Sequence, residues 1–313
     1  MRKNISDGVW PVMLTPFEET GRIDWRGLEL LTEWYISQGV HGLFSACLSS
    51  ESLHLCCADK LEMVRRVVEV ADKRVPVVAG VMGAADCSER IRMVRQVISF
   101  GADAAVMTLC DLVPEGAGDE LWIEEMEQHL KELAGAPLGL YECPKPYHRR
   151  LTPLLTEYVT DRSEFLFLKE TSGDLTEMER KSRAGKKSGL KIFTASAVTL
   201  REALDRGING FSGLQANVWP SLLVKLFECR RENPELADRL QQFFIDYNWA
   251  VGLQHAYPAG AKLYLKKAHG LNIGSFSLLN GASAGEKEER WTDELVQTVR
   301  RFAEKTDDAL ATV

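Results

Sequence analysis

Short apolar runs alternate with longer amphipathic segments along the first two thirds of the chain. Eight such runs recur, at residues 9–14, 41–46, 75–80, 102–107, 137–141, 165–169, 191–195 and 209–213. The segments between them carry apolar residues three or four positions apart, as on one face of a helix. The clearest of these segments lie at residues 25–38, 58–71, 88–100 and 119–134. The pattern therefore predicts strands and helices in alternation.

Residues typical of helix ends support these boundaries. Thr152 before Pro153 is typical of an N-cap and first helical position, and Gly39 and Gly101 are typical of helix C-termini. Eight strand–helix units in about 215 residues predict a (β/α)8 barrel, in which each strand is buried on both faces. An open, doubly wound sheet is the alternative. It is less favoured because segment 15–17, Thr-Pro-Phe, stands where a glycine-rich phosphate turn would follow the first strand.

The strand pattern ends near residue 217, and only helical patterns follow. They cover residues 218–231, 234–254, 257–269 and 289–305. We therefore expect residues 1–217 to form the barrel and residues 218–313 to form a C-terminal helical extension. The extension should pack on the barrel as part of one structural unit, where it could serve contacts between subunits.

Composition and charge narrow the possible partners. The 313 residues are 45% hydrophobic and carry a net charge of −7 with both signs interleaved, which argues against a nucleic-acid partner. No apolar stretch approaches the roughly 18–20 residues of a membrane span, and the N-terminus lacks a signal-peptide cleavage pattern. The seven cysteines contain no C-x-x-C pair and the six histidines show no ligand spacing. We expect a soluble cytoplasmic protein without a metal site or a disulfide framework.

Two polar side chains close neighbouring apolar runs. Lys169 ends the sixth run and Tyr141 ends the fifth, and active-site groups of such barrels lie at the carboxyl ends of the strands. A lysine held among apolar walls has a lowered pKa, and its neutral amine can attack a ketone to form an iminium. A nearby phenol can move protons during that reaction. From spacing alone the alternative stays open, namely a surface lysine at Lys169 and a core aromatic at Tyr141.

Ten short segments, spread over nearly the whole chain, share a recognisable order and spacing. They lie at residues 8–11 (GVWP), 15–17 (TPF), 39–42 (GVHG), 49–51 (SSE), 75–81 (VPVVAGV), 101–105 (GADAA), 141–144 (YECP), 169–174 (KETSGD), 207–210 (GING) and 216–220 (ANVWP). Each segment alone is weakly specific. Together they resemble the dihydrodipicolinate synthase/N-acetylneuraminate lyase family of class I aldolases.

The resemblance implies a homo-oligomeric barrel, tetramer or dimer, that joins a lysine covalently to pyruvate or a related 2-oxo acid. No metal or organic cofactor takes part in such a reaction. Lys169 would be the Schiff-base nucleophile and Tyr141 the phenol that transfers protons and contacts substrate. The resemblance places Ser49 and Ser50 on the loop that holds the substrate carboxylate. Pocket positions expected to set specificity are Ser212 and Gln215, together with Ala195 and Ser196.

Three positions differ from the family pattern. Leu48 stands where the family has the first hydroxyl of its loop, Cys110 and Asp111 lie where it has an aromatic proton relay, and Pro146 replaces an arginine. The resemblance therefore predicts a class I aldolase or lyase with an unidentified aldehyde partner, rather than the synthase reaction itself. The alternative is a non-catalytic member that binds a 2-oxo acid as a sensor or structural subunit.

Glu142 bears on the identity of the aldehyde. If its carboxylate and that of Asp111 faced the pocket, their negative charge would disfavour an anionic second substrate and favour a neutral or hydroxylated aldehyde. The other possibility is that Glu142 points into the layer between sheet and helices, where a basic side chain pairs with it.

Overall fold

Eight parallel strands form the centre of the molecule. The computed structural model describes residues 5–248, 250 and 256–306. The strands are β1 Gly8–Val9, β2 Leu43–Ser45, β3 Val77–Gly80, β4 Ala104–Thr108, β5 Leu138–Tyr141, β6 Phe165–Glu170, β7 Lys191–Thr194 and β8 Gly210–Phe211. They lie in the order β1-β8-β7-β6-β5-β4-β3-β2. A parallel bridge between Val12 and Phe44 joins the two ends of this sheet, so the sheet closes as a barrel. The open-sheet alternative is wrong.

Helices follow the strands as the periodicity predicts. They are α1 Trp25–Ser37, α2 Cys57–Ala71, α3 Cys87–Ser99, α4 Asp119–Leu133, α5 Pro153–Thr160, α6 Leu175–Ser188, α7 Leu200–Asp205, α8 Pro220–Cys229, α9 Pro234–Asp246, α10 Ala259–His269 and α11 Glu286–Thr306. The Thr152 hydroxyl caps α5 by accepting from the Leu155 amide. Gly39 and Gly101 follow α1 and α3 with φ angles of +77° and +107°, a region that favours glycine.

Aromatic side chains fill the inside of the barrel. Trp10 and Phe193 both contact Phe167, whose ring is stacked on that of Phe193 at 4.7 Å between centroids. Leu168 belongs instead to the separate cluster formed with the helices. Successive side chains of a strand point to opposite faces, so Lys169, two residues after Phe167, also faces the inside of the barrel. It lies nearer than Phe167 to the carboxyl end of β6.

The first helix after the eighth strand packs against the barrel. Helix α8 contacts β1 and α9, so it continues the ring of helices, and α10 packs against α11. The predicted helix 234–254 is observed as α9, while residues 249 and 251–255 lie outside the described part of the chain, as do residues 307–313. No helix within the described residues is long and apolar enough to cross a membrane.

Candidate active site

Lys169 and Tyr141 lie side by side at the carboxyl ends of their strands. The two residues are register partners in the pairing of β5 with β6, and the Lys169 Nζ lies 4.4 Å from the centre of the Tyr141 ring. Lys169 is only 4% exposed. No carboxylate within the described residues pairs with its Nζ, and burial lowers the pKa of this ammonium below its usual range. The arrangement therefore favours a neutral, nucleophilic amine.

The phenol of Tyr141 keeps its proton. Burial raises its pKa well above the usual value, and the nearby thiols of Cys143 and Cys47 act in the same direction. A phenol whose pKa is raised keeps its proton and can donate a hydrogen bond or that proton to a group beside it, and the lowered pKa of the neighbouring amine favours its neutral, nucleophilic form.

Glu142 points away from these two residues. Its carboxylate lies in the layer between the barrel and α6, where Lys181 donates to it at 2.6 Å. Lys181 also reaches the Glu170 carboxylate at 3.0 Å, and all three side chains are buried. The cause is strand alternation, since Tyr141 faces inward and the next residue must face outward. Of the two orientations considered for Glu142, the outward one paired with a base is confirmed.

A cavity of about 580 Å³ opens above Lys169 and Tyr141. Asp111 does not line it, and its carboxylate accepts a hydrogen bond from the Gly83 amide at 3.0 Å. The alternative in which Glu142 and Asp111 place negative charge in the pocket is therefore wrong. The preference for a neutral or hydroxylated aldehyde loses the support that it drew from these two residues.

The loop after β2 contributes one of its two predicted serines to the cavity. Ser49, in the short 3-10 turn Leu48–Ser50, lines the cavity. Ser50 is turned away, because its hydroxyl donates to the Met13 carbonyl at 2.6 Å and accepts from the Cys47 amide at 3.1 Å. These bonds hold the turn that presents Ser49.

Of the four residues after β7 and β8 that were predicted to set specificity, one lines the cavity and three do not. Ala195 lines the cavity, whereas Ser196, Ser212 and Gln215 do not. The Gln215 amide donates to Asn248 Oδ1 at 2.7 Å. The Ser212 hydroxyl is buried, without a hydrogen-bond partner in the part of the chain that is described, and the two residues after it, Gly213 and Leu214, form the lining in its place.

Two of the positions that differ from the family pattern carry side chains without a hydroxyl group, and the structure shows where those side chains lie. Leu48 lines the cavity with an apolar side chain. Cys110 is buried, and its thiol donates to the Lys145 carbonyl at 3.0 Å. Neither residue supplies a hydroxyl to the cavity.

Sequence reasoning missed Tyr257, which lines the cavity beside Ser49. Its hydroxyl accepts from Asn217 Nδ2 at 2.8 Å, and burial raises its pKa above the usual range. Nothing local could have signalled this phenol, because Tyr257 lies beyond the barrel strands and reaches the cavity only through the packing of the C-terminal helices.

Thr171 and His148 form a second pair that sequence reasoning missed. The Thr171 hydroxyl donates to the Glu142 carbonyl at 2.6 Å, so it can only accept from His148 Nε2, which lies 2.8 Å away. This bond places a proton on Nε2 of His148. The position of Thr171, two residues after the strand-ending lysine, was the available signal.

The Glu51 side chain links the loop that carries Ser49 to the C-terminal part of the chain. It adopts a left-handed conformation with φ +59°, and its carboxylate accepts from Lys262 Nζ at 2.7 Å, the Ser277 hydroxyl at 2.8 Å and the Leu279 amide at 2.9 Å. Burial lowers the pKa of Lys262 to about 8. Within the described residues no group of three or more His, Cys, Asp or Glu side chains is arranged to hold a metal ion.

A closed barrel with a desolvated lysine beside a phenol at its carboxyl end has the architecture of the lysine-dependent aldolases. A sequence model of the dihydrodipicolinate synthetase family matches residues 5–279. The chain belongs to this family, whose members are lyases of the aldolase type that form a Schiff base between a lysine and pyruvate.

Individual relatives agree with this assignment. The chain is 28% identical over 256 residues to the 4-hydroxy-tetrahydrodipicolinate synthase of Methanoculleus marisnigri, covering 77% of this chain and 85% of that protein. It is also 28% identical to the enzyme of that name from Pseudomonas aeruginosa, covering 82% and 91%.

Two solved structures show the same fold. The sialic acid aldolase of Ruminococcus gnavus, solved as a catalytic lysine mutant, superposes with a TM-score of 0.84 at 18% identity, covering 96% of this chain and 98% of that one. The dihydrodipicolinate synthase of Acinetobacter baumannii, solved with pyruvate, superposes with a TM-score of 0.81 at 20% identity, covering 96% and 99%.

Proposed function

We propose that this protein is a class I aldolase that uses Lys169 to join pyruvate, or a related 2-oxo acid, to an aldehyde, or to cleave the product. The observation that carries the proposal is the position of the Lys169 amine. It is buried without a carboxylate partner among the described residues and lies 4.4 Å from the Tyr141 ring. The other buried lysines each have a polar partner, a carboxylate for Lys181 and Lys262 and the Met82 carbonyl for Lys60.

The reaction begins when the neutral amine of Lys169 attacks the ketone carbon of pyruvate. The resulting carbinolamine loses water, and Tyr141 donates the proton that the departing oxygen needs. The iminium then draws electrons from the methyl carbon, which loses a proton and becomes a nucleophilic enamine. This electron withdrawal is supplied by the lysine itself, so the proposed chemistry requires no organic cofactor and no metal.

The carboxylate of the 2-oxo acid needs hydrogen-bond donors. Ser49 and Tyr257 place two hydroxyl groups on the wall of the cavity, and we assign the carboxylate to this pair. Ser50, Ser212 and Gln215 lie behind the lining. We propose that they hold the lining segments in place rather than contact substrate.

Exchange of the pyruvate methyl protons for deuterium tests the proposal. In D₂O the wild-type protein should catalyse this exchange, as followed by NMR, because the enamine forms reversibly. Lys169→Ala should abolish it, while Lys266→Ala, a control on an outer surface of α10, should not change it. A wild-type protein that is folded by circular dichroism and yet leaves the methyl signal intact would exclude the proposed chemistry.

We also propose a homo-oligomer, dimer or tetramer, located in the cytoplasm. The family resemblance supports the assembly, although one similar structure is described as a monomeric dihydrodipicolinate synthase variant. All seven cysteines are free, as in proteins of reducing compartments. Light scattering of the purified protein tests the assembly, and a monomer at micromolar concentration would contradict it.

A further inference from the structure

Four leucines are among the residues that line the cavity. Leu48 and Leu214 are half-buried and pack on the aromatic cluster inside the barrel. Nearer to the solvent lie Leu53 and Leu279, which also line the cavity and are 43% and 58% exposed. Apolar side chains that line a cavity and are exposed at its mouth are typical of sites that bind apolar ligand groups.

Leu279 is held at this position by specific bonds. Its backbone amide donates to the Glu51 carboxylate at 2.9 Å, and Glu51 is paired with Lys262 at 2.7 Å. Glu51 follows directly on the turn that presents Ser49. The leucine at the rim and the serine that faces pyruvate therefore belong to one connected unit, which fixes the apolar rim relative to the reacting carbon.

Apart from Lys169, the charged residues that line the cavity offer an acidic acceptor no buried cation to pair with. Among the described residues that line the cavity, Glu51 is the only carboxylate, and its two oxygens already bind Lys262, Ser277 and the amide of Leu279. Lys169 forms a cationic iminium with pyruvate, and the iminium nitrogen becomes neutral when the methyl carbon loses a proton to give the enamine that meets the aldehyde. The remaining basic side chains of the lining, His54, Lys145 and His148, are all exposed to solvent, where water and salt screen them.

We infer that the second substrate is an uncharged aldehyde with an aromatic ring or a bulky aliphatic group. This inference rests on the proposed aldolase function. In the forward direction the enamine carbon bonds to the aldehyde carbon, and the aldehyde oxygen takes a proton to become a hydroxyl. Water then hydrolyses the iminium, which releases a 4-hydroxy-2-oxo acid and restores the Lys169 amine.

The test supplies pyruvate with three aldehydes and measures kcat/KM for the aldol product by chromatography. Benzaldehyde represents the apolar class, glyceraldehyde the hydroxylated class and succinic semialdehyde the anionic class. We expect benzaldehyde to exceed each of the others by at least about 10-fold, the discrimination that a hydrophobic pocket gives for one or more buried carbons. A higher kcat/KM for glyceraldehyde or succinic semialdehyde would overturn the inference.

A matched pair of variants shows whether the leucines cause the preference. Leu279→Gln should lower the ratio of kcat/KM for benzaldehyde to the rate of pyruvate proton exchange by about 10-fold. The exchange rate serves as a measure of the enzyme that can still form the enamine. Leu121→Gln changes a leucine of α4 that is 41% exposed and does not line the cavity, and it should leave that ratio unchanged. Equal ratios in both variants would contradict the inference.

The same experiment distinguishes a failure of the acceptor assignment from a failure of the proposed Schiff-base chemistry. Proton exchange without benzaldehyde turnover would overturn the acceptor class and leave the Schiff-base chemistry intact. Absence of proton exchange would overturn both.

Discussion

Replacement of Lys181 by methionine should destabilise the barrel strongly, because this side chain is the cation between two buried carboxylates. Its Nζ lies 2.6 Å from Glu142 and 3.0 Å from Glu170, and the three side chains are 0–1% exposed. Removing one partner of a buried ion pair costs about 3–5 kcal/mol. We expect the lower part of this range, about 3 kcal/mol, because burial already raises the pKa of Glu142 and the variant can take up a proton there.

Urea denaturation followed by fluorescence measures this loss. A cost of about 3 kcal/mol changes the unfolding equilibrium by more than about 100-fold. Arg183→Met is the matched control, since Arg183 pairs with Glu179 on the same helix with its side chain 75% exposed. The control should cost no more than about 0.5 kcal/mol.

The pH dependence of Lys181→Met provides a second check. Without the lysine, the folded-state pKa of Glu142 lies further above its unfolded value of 4.5. A group of this kind loses stability as the pH rises through its folded pKa, so the variant should lose less stability at pH 5 than at pH 8. Equal costs for Lys181→Met and Arg183→Met, or the reverse order of the two pH values, would refute the reasoning.

Three further changes test the site. Tyr141→Phe should lower kcat by about 10²–10⁴-fold and still permit slow adduct formation, since only proton transfer is lost; an unchanged kcat would exclude the role. Ser49→Ala should raise the KM for pyruvate by about 10-fold, as expected for one hydrogen bond to a charged group, and Ser37→Ala on α1 is the control. Because burial lowers the folded-state pKa of Lys169, the unfolded chain binds a proton there more readily than the folded one, which costs stability at every pH below the ordinary lysine pKa; Lys169→Met should therefore raise the urea midpoint at pH 7, and a lowered midpoint would contradict this.

The barrel could be predicted because its elements are local. Each strand is an apolar run, and each helix has its own periodicity and end signals, as the Thr152 cap of α5 shows. Lys169 and Tyr141 could be found for the same reason, since each ends an apolar run of the sequence and the carboxyl ends of parallel strands meet.

The remaining wall of the site depends on distant parts of the chain. Tyr257 reaches the cavity across the C-terminal helices, and the Glu51–Lys262 pair joins residues that are 211 positions apart. No local pattern encodes such contacts. The orientation of Glu142, by contrast, was available from strand alternation once Tyr141 was placed inside the barrel.

The Schiff base itself is tested most directly by reduction with borohydride in the presence of pyruvate, followed by peptide mass spectrometry. We expect one reduced pyruvate adduct on Lys169, with none on Lys262, which is also buried but is ion-paired with Glu51. Lys169→Ala should yield no adduct. An adduct that persists in Lys169→Ala, or its absence from the folded wild-type protein with pyruvate and with longer 2-oxo acids, would contradict the assignment of Lys169 as the nucleophile.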